Sequence, residues 1–212
     1  MAKAMATKYF SSFTSRYEKL LGLSKFASFD ETQIHSEITA LRSIVMADHT
    51  PSASETIKIL ATEPVTIVGR SQIQEFMDFY GGEGIQHIAL LTSDIISTVT
   101  SLHARGVEFL KCPPKTYYDH LRKVLASGCE SGKHPEIKED IDVLEKLHIL
   151  LDYDENGYLL QILTCPLQDK PTMFIEVIER HGHKGFGEGN FKALFQAIER
   201  DQAARGTLFT AS

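Results

Sequence analysis

The order in which elements recur constrains this chain more than any other feature. In the second half, IQHIALLT (85–92) alternates as a strand. Asp94 is placed to cap a helix over about 95–105, whose Ile95, Val99 and Leu102 fall at helical spacing, and Gly106 closes it. Strands follow at Val107–Leu110, Leu147–Asp152, Tyr158–Thr164 and Thr172–Glu179. A helical excursion at about 114–126 and 139–147 interrupts them, and the polar SGCESGKHPE (127–136) between its helices reads as a surface loop.

The first half gives the same order without its opening strand. A helix at about 8–22 carries Tyr9, Phe13, Tyr17, Leu20 and Leu21 on one face, with Gly22 as its C-terminal cap. A strand at Lys25–Phe29, an extended run at Gln33–Met46 and a short strand at Thr56–Ala61 follow. Loops lie at Thr50–Ser54 and from Glu63-Pro64 to about Gly69. This repetition predicts an α+β fold of paired βαβββ modules whose sheets curve around a shared cavity. The expected divisions are an incomplete first module (1–80), a second module with the helical excursion (81–180), and a Gly-rich loop with a C-terminal helix (181–212).

Charge and apolar run length narrow the function classes. With 22 Lys and Arg against 28 Asp and Glu, the formal net charge is −6, and no basic block offers a footprint for a phosphate backbone. The longest stretch free of charged residues runs only from Asn156 to Gln168, too short to cross a bilayer. Three cysteines, Cys112, Cys129 and Cys165, show no framework spacing, which suits a reducing, cytoplasmic setting. The first residues, acid-free until Glu18, have some transit-peptide character but read better as the amphipathic helix.

Polar residues inside apolar strands point to chemistry. One face of IQHIALLT holds Ile85, His87, Ala89 and Leu91; Phe174, Glu176 and Ile178 share a face in the last strand, as do Leu159, Gln161 and Leu163 in the one before. Burying Glu176 between apolar neighbours costs several kcal/mol unless a cation or several donors meet it. His87 is its natural companion, and an imidazole with a carboxylate makes two thirds of a facial triad for non-haem ferrous iron. A strand His is more often a hydrogen-bonded core residue and a strand Glu more often faces solvent, so either residue alone decides nothing. His181-Gly182-His183 resembles a metal clip, but its glycine and Lys184 make it read as a mobile solvated loop. Gly185, Gly187 and Gly189 lack the spacing of a dinucleotide cradle.

Longer motifs carry a resemblance. SQIQEF (71–76), GGEGIQHIAL (81–90), FLKCPPKTYYDHLR (109–122), LLDYDENGYLLQILT (150–164) and FIEVIERHGHKGFGEGNF (174–191) resemble the C-terminal, catalytic half of the 4-hydroxyphenylpyruvate dioxygenase family, from about Tyr17 to Leu208. Its close relative hydroxymandelate synthase shares these motifs. The resemblance implies a vicinal-oxygen-chelate fold and an Fe(II) site of two His and one Glu, with His87 and Glu176 as its second and third ligands. It further implies a 2-oxo acid substrate and O2 as reactants in tyrosine catabolism, with homogentisate and CO2 as products. Gln72, Gln86, Gln161 and Ser43 match polar pocket positions. Phe174, Phe186, Asn190 and Phe191 match the wall and entrance, where the last helix acts as a lid.

The departures are as specific as the matches. The resemblance puts the first iron-ligand His on an opening strand just ahead of Met1, so strand and ligand are both expected to be absent. An Asn of the family's substrate loop is Thr62, a pocket Phe is Leu163, and 127–136 reads as an insertion. His35 lies on a first-module strand, but its neighbours do not match a ligand position. Three readings follow: an incomplete dioxygenase domain, a hydroxymandelate synthase-type enzyme, or an inactive member that binds a partner or forms a homo-oligomer through an exposed strand edge.

Overall fold

The computed structural model describes residues 2–6, 10–33, 35–48, 57–111, 113–129 and 135–209, with side chains at 2–6, 66 and 127–129 excepted. The chain forms two compact units: Met1–Ala89 with Pro166–Ile175 and Ile198–Ser212, and Leu90–Cys165 with Glu176–Ala197.

In the first unit, β1 (Ala2–Ala6), α1 (Phe10–Leu21), β2 (Ser24–Phe29), β3 (Thr39–Ala47) and β4 (Lys58–Thr66) run in chain order as one βαβββ module. Its strands lie in the order β2-β3-β4-β1, followed by β5 (Gly84–Leu91). β1 runs parallel to β4 and antiparallel to β5. The opening strand expected to be absent is therefore Ala2–Ala6. Its sequence, AKAMA, has little β-propensity, and pairing on both sides rather than local preference makes it a strand.

The amphipathic α1 covers one face of this sheet, packing Phe13 against Met46, Ile59 and Ala61. Two other expectations change here. The extended run begins at Thr39, with His35 an exposed residue in a lone bridge to Ala40. Glu63 and Pro64 lie within β4 rather than opening a loop. Among the described residues β1 pairs β4 only as far as Thr62, so none of them needs a donor from Pro64. Helix α2 (Gln72–Tyr80) was not anticipated, although Ser71 accepts from the Gln74 N–H in the spacing of a capping box.

The second unit takes β6 (Leu150–Asp154), β7 (Gly157–Leu163) and β8 (Phe174–His181) in antiparallel order β8-β7-β6, its part of β8 beginning at Glu176. Helices α3 (Ile95–Ala104), α4 (Lys115–Cys129) and α5 (Ile141–Leu147) cover one face. Ile95, Val99, Tyr118, Leu121 and Leu144 pack there against Leu151, Tyr158, Leu160, Ile162 and Val177. Every residue of β7 is buried, so its two faces both need covers. The segment expected as a strand at 107–110 makes only a bridge, Phe109 to Thr164. Of the stretch read as a surface loop and insertion (127–136), residues 127–129 instead end α4, while 130–134, like the loop at 50–54, lie outside the described residues.

His148, which ends α5, is the one described non-glycine residue in the left-handed region, at φ 59°, and its Nδ1 is buried without a hydrogen-bond partner. Replacing His148 with Gly removes both costs. His148→Gly is expected to raise stability by about 1 kcal/mol, read as a higher urea midpoint at unchanged slope.

Candidate functional site

The first unit's sheet face turned away from α1 collects several sequence-predicted residues. Register pairs Ser43 with Thr62 across β3 and β4, and their hydroxyls lie 3.4 Å apart, both buried. Thr62, expected in a loop, is thus a strand residue. β1 carries the face across, pairing Ala4 with Leu60 on one side and with His87 on the other. Gln86 is buried at the irregularity where β5 departs from β1's register. The ring of His87 stacks on Phe174, centroids 4.8 Å apart at 22°. Gln72 is half-buried in the first turn of α2.

The second unit presents a matching face opposite its helices. β7 and β8 pair Leu163 with Glu176 and Gln161 with Ile178, and β6 adds Asp152 opposite Leu159. Glu176, Gln161 and Asp152 therefore share one face. Over it lies the segment 182–190, read from sequence as a mobile solvated loop. The structure overturns that reading: His183 is 5% exposed and Asn190 1%. A Cβ at Gly187, whose φ is +79°, would come within 2.1 Å of Gln161 Oε1, and one at Gly189 within 2.3 Å of Asp152 Oδ1. Only glycine lets this backbone descend so closely onto β6 and β7.

Hydrogen bonds hold the segment there. The Gly189 N–H donates to Asp152 Oδ2 at 3.2 Å, Gly185 N–H to His183 Nδ1 at 3.1 Å, and Arg180 Nη1 to the Gly185 carbonyl at 2.7 Å. Tyr117 Oη lies 2.9 Å from Asn190 Oδ1 and accepts from the Leu151 N–H at 2.9 Å. Gln161 Oε1 and Asn190 Nδ2 remain buried with no hydrogen-bond partner. Such atoms cost about 1–3 kcal/mol each unless something answers them, so one acceptor and one donor are held ready for a polar ligand. Phe186 and Phe191 are half-buried nearby in sequence. Sequence reasoning missed Asp152 and Tyr117 and set His183 aside as solvated. The closely spaced glycines were the available signal, since each marks a backbone that must approach something.

Helix α6 (Phe191–Arg205) follows. In the first unit, its Glu199 accepts from Thr39 Oγ1 at 2.6 Å and from Ser36, its Gln202 donates to the Arg70 carbonyl at 3.1 Å, and its Arg205 pairs with Glu75 at 2.9 Å. The C-terminal half of the expected lid is thereby anchored.

The donor chemistry suits a divalent metal. Glu176 is 9% exposed, and burial pushes its carboxyl up to about 7, opposed by the charge of Arg180. His87 keeps some accessible surface, yet protein surrounds its ring closely enough that desolvation pushes it down to about 4, leaving the neutral imidazole that can ligate. Two carboxylate–imidazole sets also gather in the second unit: Glu139, Glu179 and His181, and Asp152, His183 and Glu188.

The Glyoxalase/Bleomycin resistance protein/Dioxygenase superfamily matches residues 11–162. The chain belongs to that superfamily. It is 53% identical over 91% of its length to 4-hydroxyphenylpyruvate dioxygenases of Caenorhabditis elegans, covering 47% of that protein, and of Dictyostelium discoideum, covering 50%. The chain thus spans about half the length of these relatives. A solved 4-hydroxymandelate synthase from Streptomyces coelicolor is 31% identical with a TM-score of 0.77, over 95% of this chain and 53% of that one. A xylose isomerase-like TIM barrel/4-hydroxyphenylpyruvate dioxygenase fusion protein, 18% identical at TM-score 0.66, covers 95% of this chain and 29% of its own and shares the fold. Superfamily membership agrees with the vicinal-oxygen-chelate fold expected from the sequence.

The two desolvated groups give opposite pH signatures in the metal-free chain. His87, lowered from 6.5 to about 4, contributes stability that is present above pH 6.5 and lost on acidification. Glu176, raised from 4.5 to about 7, contributes stability that is present below pH 4.5 and lost as pH rises. Between 4.5 and 6.5 the two slopes oppose each other. Urea titrations across that window are expected to show Glu176→Gln gaining a slope of about +1 kcal/mol per pH unit relative to wild type, and His87→Gln about −1.

Proposed function

We propose that this chain supplies the iron- and substrate-binding half of a 4-hydroxyphenylpyruvate dioxygenase, an enzyme of tyrosine catabolism. The observation that carries this reading is a single strand. β8 presents Phe174, which stacks on His87, and two residues later presents Glu176 on the same face. His87 and Glu176 would hold the metal as neutral imidazole and carboxylate, a donor pair suited to ferrous iron. Bound there, iron supplies Lewis acidity and electrons for reaction of a 2-oxo acid with O2.

The chain's own residues would bind and orient the substrate. Gln161 Oε1 offers an acceptor and Asn190 Nδ2 a donor, and both are uncharged, so they align a phenol or keto group without competing for the metal. Ser43 and Thr62 add hydroxyls on the first unit's face. Phe174 holds the His87 ring flat, while Phe186 and Phe191 supply apolar surface for the aromatic ring and exclude water. The family identity of 53% supports the homogentisate-forming reaction over hydroxymandelate formation. The 4-hydroxymandelate synthase likeness at TM-score 0.77 keeps that product as the second reading.

Product analysis separates them. Aerobic incubation of the iron-loaded protein with 4-hydroxyphenylpyruvate is expected to yield homogentisate and CO2. Hydroxymandelate instead would favour the second reading, and no product from protein that retains iron would overturn both. Gln161→Leu adds a sharper check, because it removes a buried amide whose acceptor has no partner. Its folding stability is expected to stay level or rise by about 1 kcal/mol, while kcat/KM falls about 10- to 100-fold.

A further inference from the structure

On the helix-covered side of the second unit, Glu139, Glu179 and His181 bring three ligand atoms within 4.8 Å of one another. Glu139 lies just before the α5 cap Asp140, whereas Glu179 and His181 stand on β8, on the face opposite Glu176. His181 Nε2 is 2.9 Å from Glu179 Oε1 and 3.4 Å from Glu139 Oε1. Tyr158 stacks on the imidazole at 4.4 Å and fixes its plane.

Charge is out of balance in this pocket. Both carboxylates are largely removed from water, with side chains 12% and 8% exposed. Among the described residues, His181 is their only ion-pair partner. Glu179 Oε2 accepts the Ile95 N–H at 2.7 Å, but Glu139 Oε2 is buried with no hydrogen-bond partner. Two buried carboxylates beside one imidazole leave net negative charge whether or not the ring is protonated. Ligand atoms at about 2.0–2.2 Å around a tetrahedral metal lie about 3.3 Å apart, the spacing the Nε2–carboxylate pairs already have.

The second carboxylate–imidazole set fails the same test. His183 Nδ1 accepts the Gly185 N–H, so the neutral ring carries its proton on Nε2, the nitrogen facing Asp152 and Asp154. Ligation through Nε2 would strip both nitrogens of protons. That set is a latch for the glycine segment.

We infer that Glu139, Glu179 and His181 form a divalent-cation site, of zinc-type chemistry, distinct from the proposed iron ligands. The ion would staple the lead-in to α5, the end of β8 and the start of α3. This site stands on its own geometry and survives if the iron reading fails.

Zinc titration of the full chain in a His87→Ala/Glu176→Ala background tests it by calorimetry and thermal unfolding. About one equivalent of zinc is expected to bind and raise the unfolding midpoint, with Glu139→Gln and Glu179→Gln each weakening binding by about tenfold or more. No binding, or binding indifferent to both substitutions, would overturn the site and leave an imidazole hydrogen-bonded between two carboxylates. Should either variant fail to fold by circular dichroism, imidazole 15N NMR on the otherwise unmutated chain decides. A zinc-induced shift at His181 Nε2 supports the site, and an unmoved Nε2 overturns it.

Discussion

The desolvation of Glu176 is the constraint on which the rest of the structure depends. A carboxylate on a central strand, with an apolar residue opposite it and burial raising its pKa to about 7, stays ionised at neutral pH only where a cation or ordered donors answer it. The β7–β8 register decides which face carries it. That register puts Tyr158, Leu160, Ile162 and Val177 under the helices and sends Gln161, Glu176 and Asp152 to the other side. A one-residue slip of β8 would drive Glu176 into the helix-covered core and turn Val177 out of it. The apolar core therefore fixes the polar face, and the energetic cost of the site is met by packing on its reverse.

The cover over that face is built from absent side chains. Gly187 and Gly189 bring backbone against Gln161 and Asp152, and Asp152, Arg180 and Tyr117 then hold the segment by hydrogen bonds. A segment so rich in glycine would be mobile in isolation. Here the docking contacts confine it, leaving Asn190 and Gln161 oriented with one unanswered donor and one unanswered acceptor. Preorganised amides of this kind bind without the entropy cost of ordering a loop each time.

Much of the second half of the chain was legible because local and global signals agree there. Alternation marked β5 and β8, Asp94 marked the start of α3, and the His87 and Glu176 intrusions into apolar faces marked candidate ligands. The failures share one physical origin, namely contacts remote in sequence. AKAMA becomes β1 through partners more than fifty residues away, Pro64 has no β1 partner among the described residues, and His183 is buried by β6. Asp152 reads as an ordinary hairpin residue until the glycine segment lies on it. The α2 capping box was legible and overlooked.

The central proposal is that His87 and Glu176 serve as ligands to one ferrous ion. Anaerobic equilibrium dialysis against Fe(II), followed by metal quantification, tests it most directly. The account predicts about one retained equivalent in the wild-type chain and at least about a tenfold loss of affinity in both His87→Ala and Glu176→Ala. Undiminished retention in those variants, each verified as folded, would contradict it.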